Sequence, residues 1–242
     1  MKIAFISDIH GNLEALENVL RDIEKEGVEK IHFLGDVVGY GCNPNECVKL
    51  VDTHCEVKLL GNHDYATMGL ESTDSFNQLA QTSISWTIGE ITKKSVAILA
   101  DFEIQSDFLD FHLVHASPGE SDRWHYILNP TQALPQFDNF TQSVCFIGHS
   151  HIPTIFSRNG DGNVTASNKA SLEWSPDKKY IINIGSVGQP RDNDSRACYL
   201  IADTELRRIS YRRVEYNIRK TQIKMKKADL PNFLIERLAT GL

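Results

Sequence analysis

The chain lacks the cysteine spacing that would staple a small fold or build a zinc ribbon. Its five cysteines (Cys42, Cys47, Cys55, Cys145 and Cys198) are odd in number, scattered and free of any C-x-x-C pair, which fits a reducing compartment. No apolar run approaches the ~20 residues that a membrane-spanning helix needs. Repeats, low-complexity tracts and long linkers are also missing, so nothing divides the 242 residues, a length that one domain can use. Positive charge is not in excess either. The formal net charge is −7, which speaks against a stable nucleic-acid partner or an anionic membrane surface. Met1-Lys2 leads straight into the apolar segment Ile3–Ser7, leaving no room for a signal peptide, and the expected location is cytoplasmic.

Charge is nonetheless uneven. Between Glu205 and Lys227 lie nine Lys and Arg against two Glu, a local net charge of +7. This basic strand and helix extension, from about residue 205 of a single domain spanning 1–242, is expected to be a solvated face. A polyanion-attracting arm is the competing reading.

The first sixty-odd residues read β-α-β-α-β. Ile3–Ile6 is a buried strand. Asn12 is placed to cap a helix whose Leu13, Leu16, Leu20 and Ile23 recur at helical spacing and which Gly27 closes. A second strand covers about Lys30–Leu34, Pro44 opens a second helix, and a third strand covers Val57–Leu60. Helix is expected from about Ser75 to Ala100, with Trp86, Ile88 and Ile91 in the core. Strands then dominate: Phe108–Val114, Ser143–Ile147, Thr154–Ser157, Tyr180–Ile184, Ala197–Ile201 and Arg208–Val214. Asn159–Asn163 is a turn; as a calcium loop it fails, because its twelfth position is Ala170 rather than Glu. β-α units followed by strand-rich sequence suggest two sheets packed face to face with helices outside.

Five short segments at strand ends carry a pattern of metal-binding side chains: Asp8-Ile9-His10, Gly35-Asp36, Gly61-Asn62-His63-Asp64, Val114-His115-Ala116 and Gly148-His149-Ser150-His151. Carboxyl ends of strands are where open α/β sheets bind ligands. Hydrolysis of a phosphate ester requires neutralised non-bridging oxygens and a hydroxide at neutral pH. Two divalent cations held by mixed Asp, Asn and His ligands supply both. If Asp8-Ile9-His10 is extended, its alternate side chains reach one ion, and His149 and His151 do the same.

These segments resemble the calcineurin-like metallophosphoesterases (D-x-H, G-D, G-N-H-D/E, a lone H, then G-H-x-H) over nearly the whole chain. Asp8–Asn12, Gly35–Gly41, His115–Pro118 and Gly185–Asp192 are similar to the small prokaryotic branch of phosphodiesterases and diadenosine polyphosphate hydrolases. The resemblance implies an α/β fold, a four-layer α/β/β/α sandwich of two mixed β-sheets flanked by helices. It implies that Asp8, His10 and His151 hold a first metal, that Asn62, His115 and His149 hold a second, and that Asp36 bridges them. His63 would act on the transition state or leaving oxygen, with Asp64 orienting it, and a hydroxide bridging the metals would attack phosphorus. The cofactors would be two divalent ions, with Mn²⁺ favoured and Fe, Co, Ni or Mg also suitable.

Arg191 suits bidentate phosphate binding, against a salt bridge to Asp192 or Asp194. Tyr40, Trp124, His125 and Tyr126 are candidates for a base or leaving-group pocket, against ordinary core packing. His32, His54 and His112 are expected to be structural, and a Cys42–Cys47 redox switch is disfavoured. The expected substrate is a small phosphodiester or dinucleoside polyphosphate. A nuclease on short oligonucleotides and a non-catalytic scaffold on the same fold are the alternatives, and homo-oligomerisation stays open.

Overall fold

The computed structural model describes residues 1–242, the side chain of Ser75 excepted. The N-terminal half runs β1 (Lys2–Ile6), α1 (Leu13–Lys25), β2 (Lys30–Phe33), α2 (Pro44–His54), β3 (Val57–Lys58), α3 (Asn62–Thr67), α4 (Gln78–Glu90) and α5 (Lys93–Leu99). It continues with β4 (Gln105–Phe108), β5 (Phe111–Val114), the one-turn α6 (Pro130–Ala133), β6 (Val144–Ile147), β7 (Thr154–Arg158) and β8 (Val164–Ser167). Strands β9 (Ser171–Glu173), β10 (Lys179–Asn183), β11 (Ala197–Asp203) and β12 (Arg208–Val214) precede helices α7 (Ile218–Lys227) and α8 (Asn232–Glu236). Two six-stranded sheets result, ordered β3-β2-β1-β11-β12-β9 and β4-β5-β6-β10-β7-β8. Both are mixed: β1, β2 and β3 run parallel, as do β5, β6 and β10, while the remaining pairs are antiparallel.

Alternation along β1 sets the layers. Ala4 and Ile6 face the helices, sharing a core with Leu16 and Val19 of α1 and Val48 and Val51 of α2. Ile3 and Phe5 face the second sheet, where they meet Phe111, Phe146 and Ile182. Phe5 stacks on Phe146 with ring centroids 4.2 Å apart and meets Phe111 edge-on at 5.8 Å. On the far face of the second sheet, Cys145, Ile147 and Ile181 pack beneath Phe137 and Phe140. The expected α/β/β/α sandwich is therefore the architecture found, with both inner and both outer faces apolar.

Local signals explain the helix ends. The Asn12 side chain accepts from Ala15 N–H at 3.2 Å to open α1, and Gly27 follows its end with φ +65°, a conformation that glycine adopts at no steric cost. Three expectations need correcting. Helix does not run unbroken through 75–100: α4 ends at Glu90, and Thr92 caps α5 by accepting from Ser95 N–H. Ile88 is half exposed rather than in the core. Phe108–Val114 is no single strand but the β4–β5 hairpin, turned at Leu109 with φ +54°. Strands β8 and β9 are additional, and β3 stops at Lys58, with Leu59 making one further bridge to Glu103.

The basic run forms β12 and α7, and much of its charge is paired. Arg212 meets Asp22 and Glu26, Arg213 meets Asp192, and Lys220 and Lys224 converge on the buried Glu14 of α1 at 3.2 and 2.6 Å. Helices α7 and α8 close over Tyr40 through Met225, Leu234 and Ile235, with Leu238 joining them from the turn after α8. No helix is long and apolar enough to cross a membrane among the described residues. All five cysteines are free, and burial raises the Cys42 thiol to about 11 and Cys47 further, so neither is poised as a thiolate.

His32 lies fully buried between the sheets beside Phe5, its Nδ1 accepting from Val57 N–H at 3.2 Å. Burial lowers its pKa to about 4, so the folded protein favours the neutral ring. Its contribution is complete above the unfolded value and is lost as pH falls from about 6.5 towards 4. A His32→Leu variant is accordingly expected to show a smaller drop in urea midpoint between pH 7 and pH 5 than the parent protein.

Candidate metal centre

The loops after β1 and β2 lie side by side. Asp8 N–H donates to the Gly35 carbonyl at 2.9 Å, His10 N–H to Asp36 at 3.0 Å and Gly11 N–H to Val37 at 2.9 Å. Asp8, His10, Asp36, His149 and His151 all have left-handed backbones, with φ between +49° and +66°. The expected extended alternation is therefore replaced by a tighter path. Each non-glycine residue in this region costs on the order of 1–3 kcal/mol, a cost typically found at functional sites. Glycines leave the room: a Cβ on Gly148 would stand 2.5 Å from Asp8 Oδ2, and one on Gly61 would collide with the Asp36 carboxylate.

Side chains from both sheets converge here. Asp8, His10 and His151 form one group of ligand atoms, all within 4.8 Å of one another, and Asp36, His115 and His149 form a second. His151 Nε2 lies 3.2 Å from Asp8 Oδ1 and 3.1 Å from His10 Nε2. Asp36 Oδ2 stands between the groups, 3.7 Å from His10 Nε2 and 3.4 Å from His115 Nε2. Asn62 is buried nearby, its Oδ1 without a partner.

Backbone carbonyls fix three of the imidazoles. His10 Nδ1 donates to Val38 O at 3.0 Å, His115 Nδ1 to Leu34 O at 2.7 Å and His151 Nδ1 to Gln189 O at 2.6 Å. In the neutral ring each Nε2 then carries a lone pair aimed at the centre. His10 and His151 thus point two acceptors at each other, an arrangement that a shared cation satisfies. His115 Nε2, His149 Nε2 and Asn62 Oδ1 are likewise buried with no hydrogen-bond partner among the described residues. This donor set of carboxylate, amide oxygen and imidazole fits divalent metal.

Electrostatics agree. Burial opposes ionisation of Asp8, but His151 and His115 outweigh it and hold the carboxyl well below the usual range; at Asp36, His115 and His63 do the same. Burial drives His10 well down and His149 to about 3, favouring the neutral rings that ligate metal. His115 is the exception. Burial disfavours its charge, yet the neighbouring Asp36 carboxylate lifts it to about 9.

His63 also comes within reach of His10 and Asp36, and its buried Nδ1 has no partner. The expected contact with Asp64 is not made. The Asp64 carboxylate instead accepts N–H groups of Asp36 (2.7 Å), Val38 (3.1 Å) and Gly61 (3.0 Å), binding the β2 loop to the start of α3. Nor is His63 held as a cation: burial lowers it to about 4. Arg191 forms no salt bridge with Asp192 or Asp194, which pair with Arg213 and Arg196. Its guanidinium lies over Tyr40 at 5.7 Å and donates to Gln189 Oε1 at 2.8 Å.

Beside the second group is a cavity of about 420 Å³, walled by Asn62, His63 and His149 at its base and by Tyr40, Trp124 and Tyr126 above. His125 is not part of it; the ring is exposed, 3.4 Å from Glu120. Sequence reasoning missed Glu71 and Phe76, which complete the cavity, and Ser186, whose hydroxyl donates to Asp8 O at 2.8 Å. It also missed the carbonyls that orient the rings, because any residue type offers a carbonyl. His54 is exposed at the end of α2, and the buried His112 pairs with Asp107 at 2.7 Å.

An Asp64→Asn substitution puts an amide NH₂ against backbone N–H groups and shifts the Asp36 loop. The expected result is a folded protein whose divalent-metal affinity, followed by isothermal titration, falls by about 10–100-fold, as for other groups that orient ligands.

A family model described as the calcineurin-like phosphoesterase superfamily domain matches residues 1–207. An uncharacterized protein of Methanocaldococcus jannaschii is 43% identical over 246 aligned positions, covering 99% of this chain and 98% of its own length. The crystal structure of a metallophosphoesterase from Sphaerobacter thermophilus superposes with a TM-score of 0.87 at 39% identity, covering 100% and 99% of the two chains. A hypothetical protein from Pyrococcus horikoshii shares the fold at 18% identity, with a TM-score of 0.79 and coverage of 100% and 98%. The chain belongs to the calcineurin-like phosphoesterase superfamily.

Proposed function

We propose that this protein is a cytoplasmic, dinuclear metal-dependent phosphoesterase that hydrolyses small phosphodiesters or dinucleoside polyphosphates, with manganese as the working ion. One observation carries the reading: Asp36 stands between two groups of buried acceptor atoms, each completed by histidines from the opposite sheet. Asp8, His10 and His151 would hold one ion, Asn62, His115 and His149 the other, and Asp36 both. When bound, such a pair supplies Lewis acidity and a hydroxide nucleophile at neutral pH.

The remaining roles belong to the chain itself. His63 lines the cavity, where the N–H of a neutral imidazole can donate to a phosphoryl oxygen and stabilise the charge that develops there. Asp64 acts as a positioning residue, holding Asp36 and the helix start that carries His63. Arg191, free of carboxylate partners and close to Tyr40, is suited to a phosphate oxygen. Complete occupancy of the ligand pattern favours catalysis over a scaffold role.

Chelator-stripped protein should take up two Mn²⁺ per chain by titration and regain hydrolysis of bis-p-nitrophenyl phosphate. Asp36→Asn is expected to lower turnover by at least about 100-fold, exceeding the loss on removing an outer partner of a metal ligand. A parent protein that binds metal and hydrolyses neither this diester nor diadenosine tetraphosphate would move the assignment to a non-catalytic scaffold.

A further inference from the structure

The cavity beside the second acceptor group has chemistry that the metal centre does not require. Its volume of about 420 Å³ lies within the roughly 300–1,000 Å³ of small-molecule clefts. Tyr40, Phe76, Trp124 and Tyr126 make its walls largely aromatic. Tyr126 remains half exposed, although its ring stacks on His149 with centroids 4.0 Å apart and an interplanar angle of 24°. An aromatic face is thereby presented at the mouth, directly above a proposed metal ligand.

Trp124 adds an independent sign. Its backbone is left-handed at φ +55°, a genuine outlier for a bulky residue. The conformation is held by its indole N–H, which donates to Glu71 at 2.7 Å, and by edge-on packing against Tyr65 and His115. Strain retained in this way points to function. The rim offers hydrogen-bonding groups of both kinds. Among the described residues, the second carboxylate oxygen of Glu71 and the Asn77 amide N–H groups have no protein partner, and Arg123 forms no ion pair.

We propose that this cavity is a subsite for a nucleobase on the substrate, with Tyr126 providing the stacking face, the buried Trp124 closing the wall beside it, and Glu71, Asn77 and Arg123 meeting the polar edge of the base. The proposal rests on the phosphoesterase reading, because it places the phosphate at the metal centre and the base in the space that opens from it. Stacking selects for a flat ring without requiring one particular base, since every base has a π-face. The subsite therefore decides which organic group the phosphate carries and leaves the bond-breaking chemistry to the metal centre.

Calorimetric titration of Mn²⁺-loaded protein with AMP and with ribose 5-phosphate isolates the base, since the two ligands share the sugar and the phosphate. AMP is expected to bind about tenfold more tightly. Tyr126→Leu should bring the ratio of the two affinities close to one, and Tyr126→Phe, which restores the stacking face, should recover it. Equal affinities in the parent protein, no AMP binding, or a ratio unchanged in Tyr126→Leu would overturn the proposal. Because binding needs no turnover, failure here is separate from failure of the diesterase assay. Hydrolysis of bis-p-nitrophenyl phosphate with no AMP preference leaves the enzyme and removes the subsite; AMP preference without hydrolysis does the reverse.

Discussion

Everything at the centre depends on facing lone pairs that the protein forces together. Three histidine rings are pinned through Nδ1 to backbone carbonyls, so their free nitrogens point at Asp8, Asp36 and one another. Left alone, such a cluster is repulsive. It is held by left-handed backbone at five ligand positions and by the hydrogen bonds that join the β1 and β2 loops. Folding free energy is thus invested in a site whose attraction for cations is built in beforehand, which is the preorganisation that metal catalysis uses.

Much of this was legible in the sequence because the residue types are rare and each follows an apolar strand. Asp8 and Asp36 could be located from side-chain chemistry and the β-α alternation and His149 from its H-x-H spacing, whereas the lone His115 needed the family resemblance. Strand β12 could be bounded to the residue because its flanks are polar. What could not be read is what backbone does. Carbonyls have no sequence signature, so the partners of His10, His115 and His151 were invisible. Asp64 illustrates the same blind spot: a carboxylate beside a histidine suggests a pair, whereas three converging amide N–H groups claim it first. Leu109 hides a turn because leucine rarely signals positive φ.

Misplaced helix content has an equally local cause. Thr92 followed by Ser95 is a cap that divides the expected helix in two, and Ile88 falls on the outer side of α4. The cavity beside the candidate metal centre was foreshadowed by Tyr40, Trp124 and Tyr126 but not by Phe76 or Glu71, which arrive from a loop with no periodicity. The basic C-terminal run reads as a solvated face, with a polyanion arm as the competing reading, until its partners are known. Glu14, buried at the start of α1, pairs with two of its lysines, and α7, to which both belong, joins α8 as a wall over Tyr40.

The two sheets each supply part of the candidate ligand set. Asp8, His10, Asp36 and Asn62 follow strands of one sheet, while His115, His149 and His151 follow strands of the other. Asp8 and His149, hydrogen-bonded through the His149 amide, are 141 residues apart. Strand β1 itself finds its antiparallel neighbour only in β11, with Lys2 opposite Asp203. Neither pairing can form while the chain is half made, and both close very long loops, whose entropic cost rises only slowly with length. On the proposed assignment a cation held by residues of both sheets would therefore act as a clasp between early and late parts of the polypeptide, and loading with metal would also secure the sandwich.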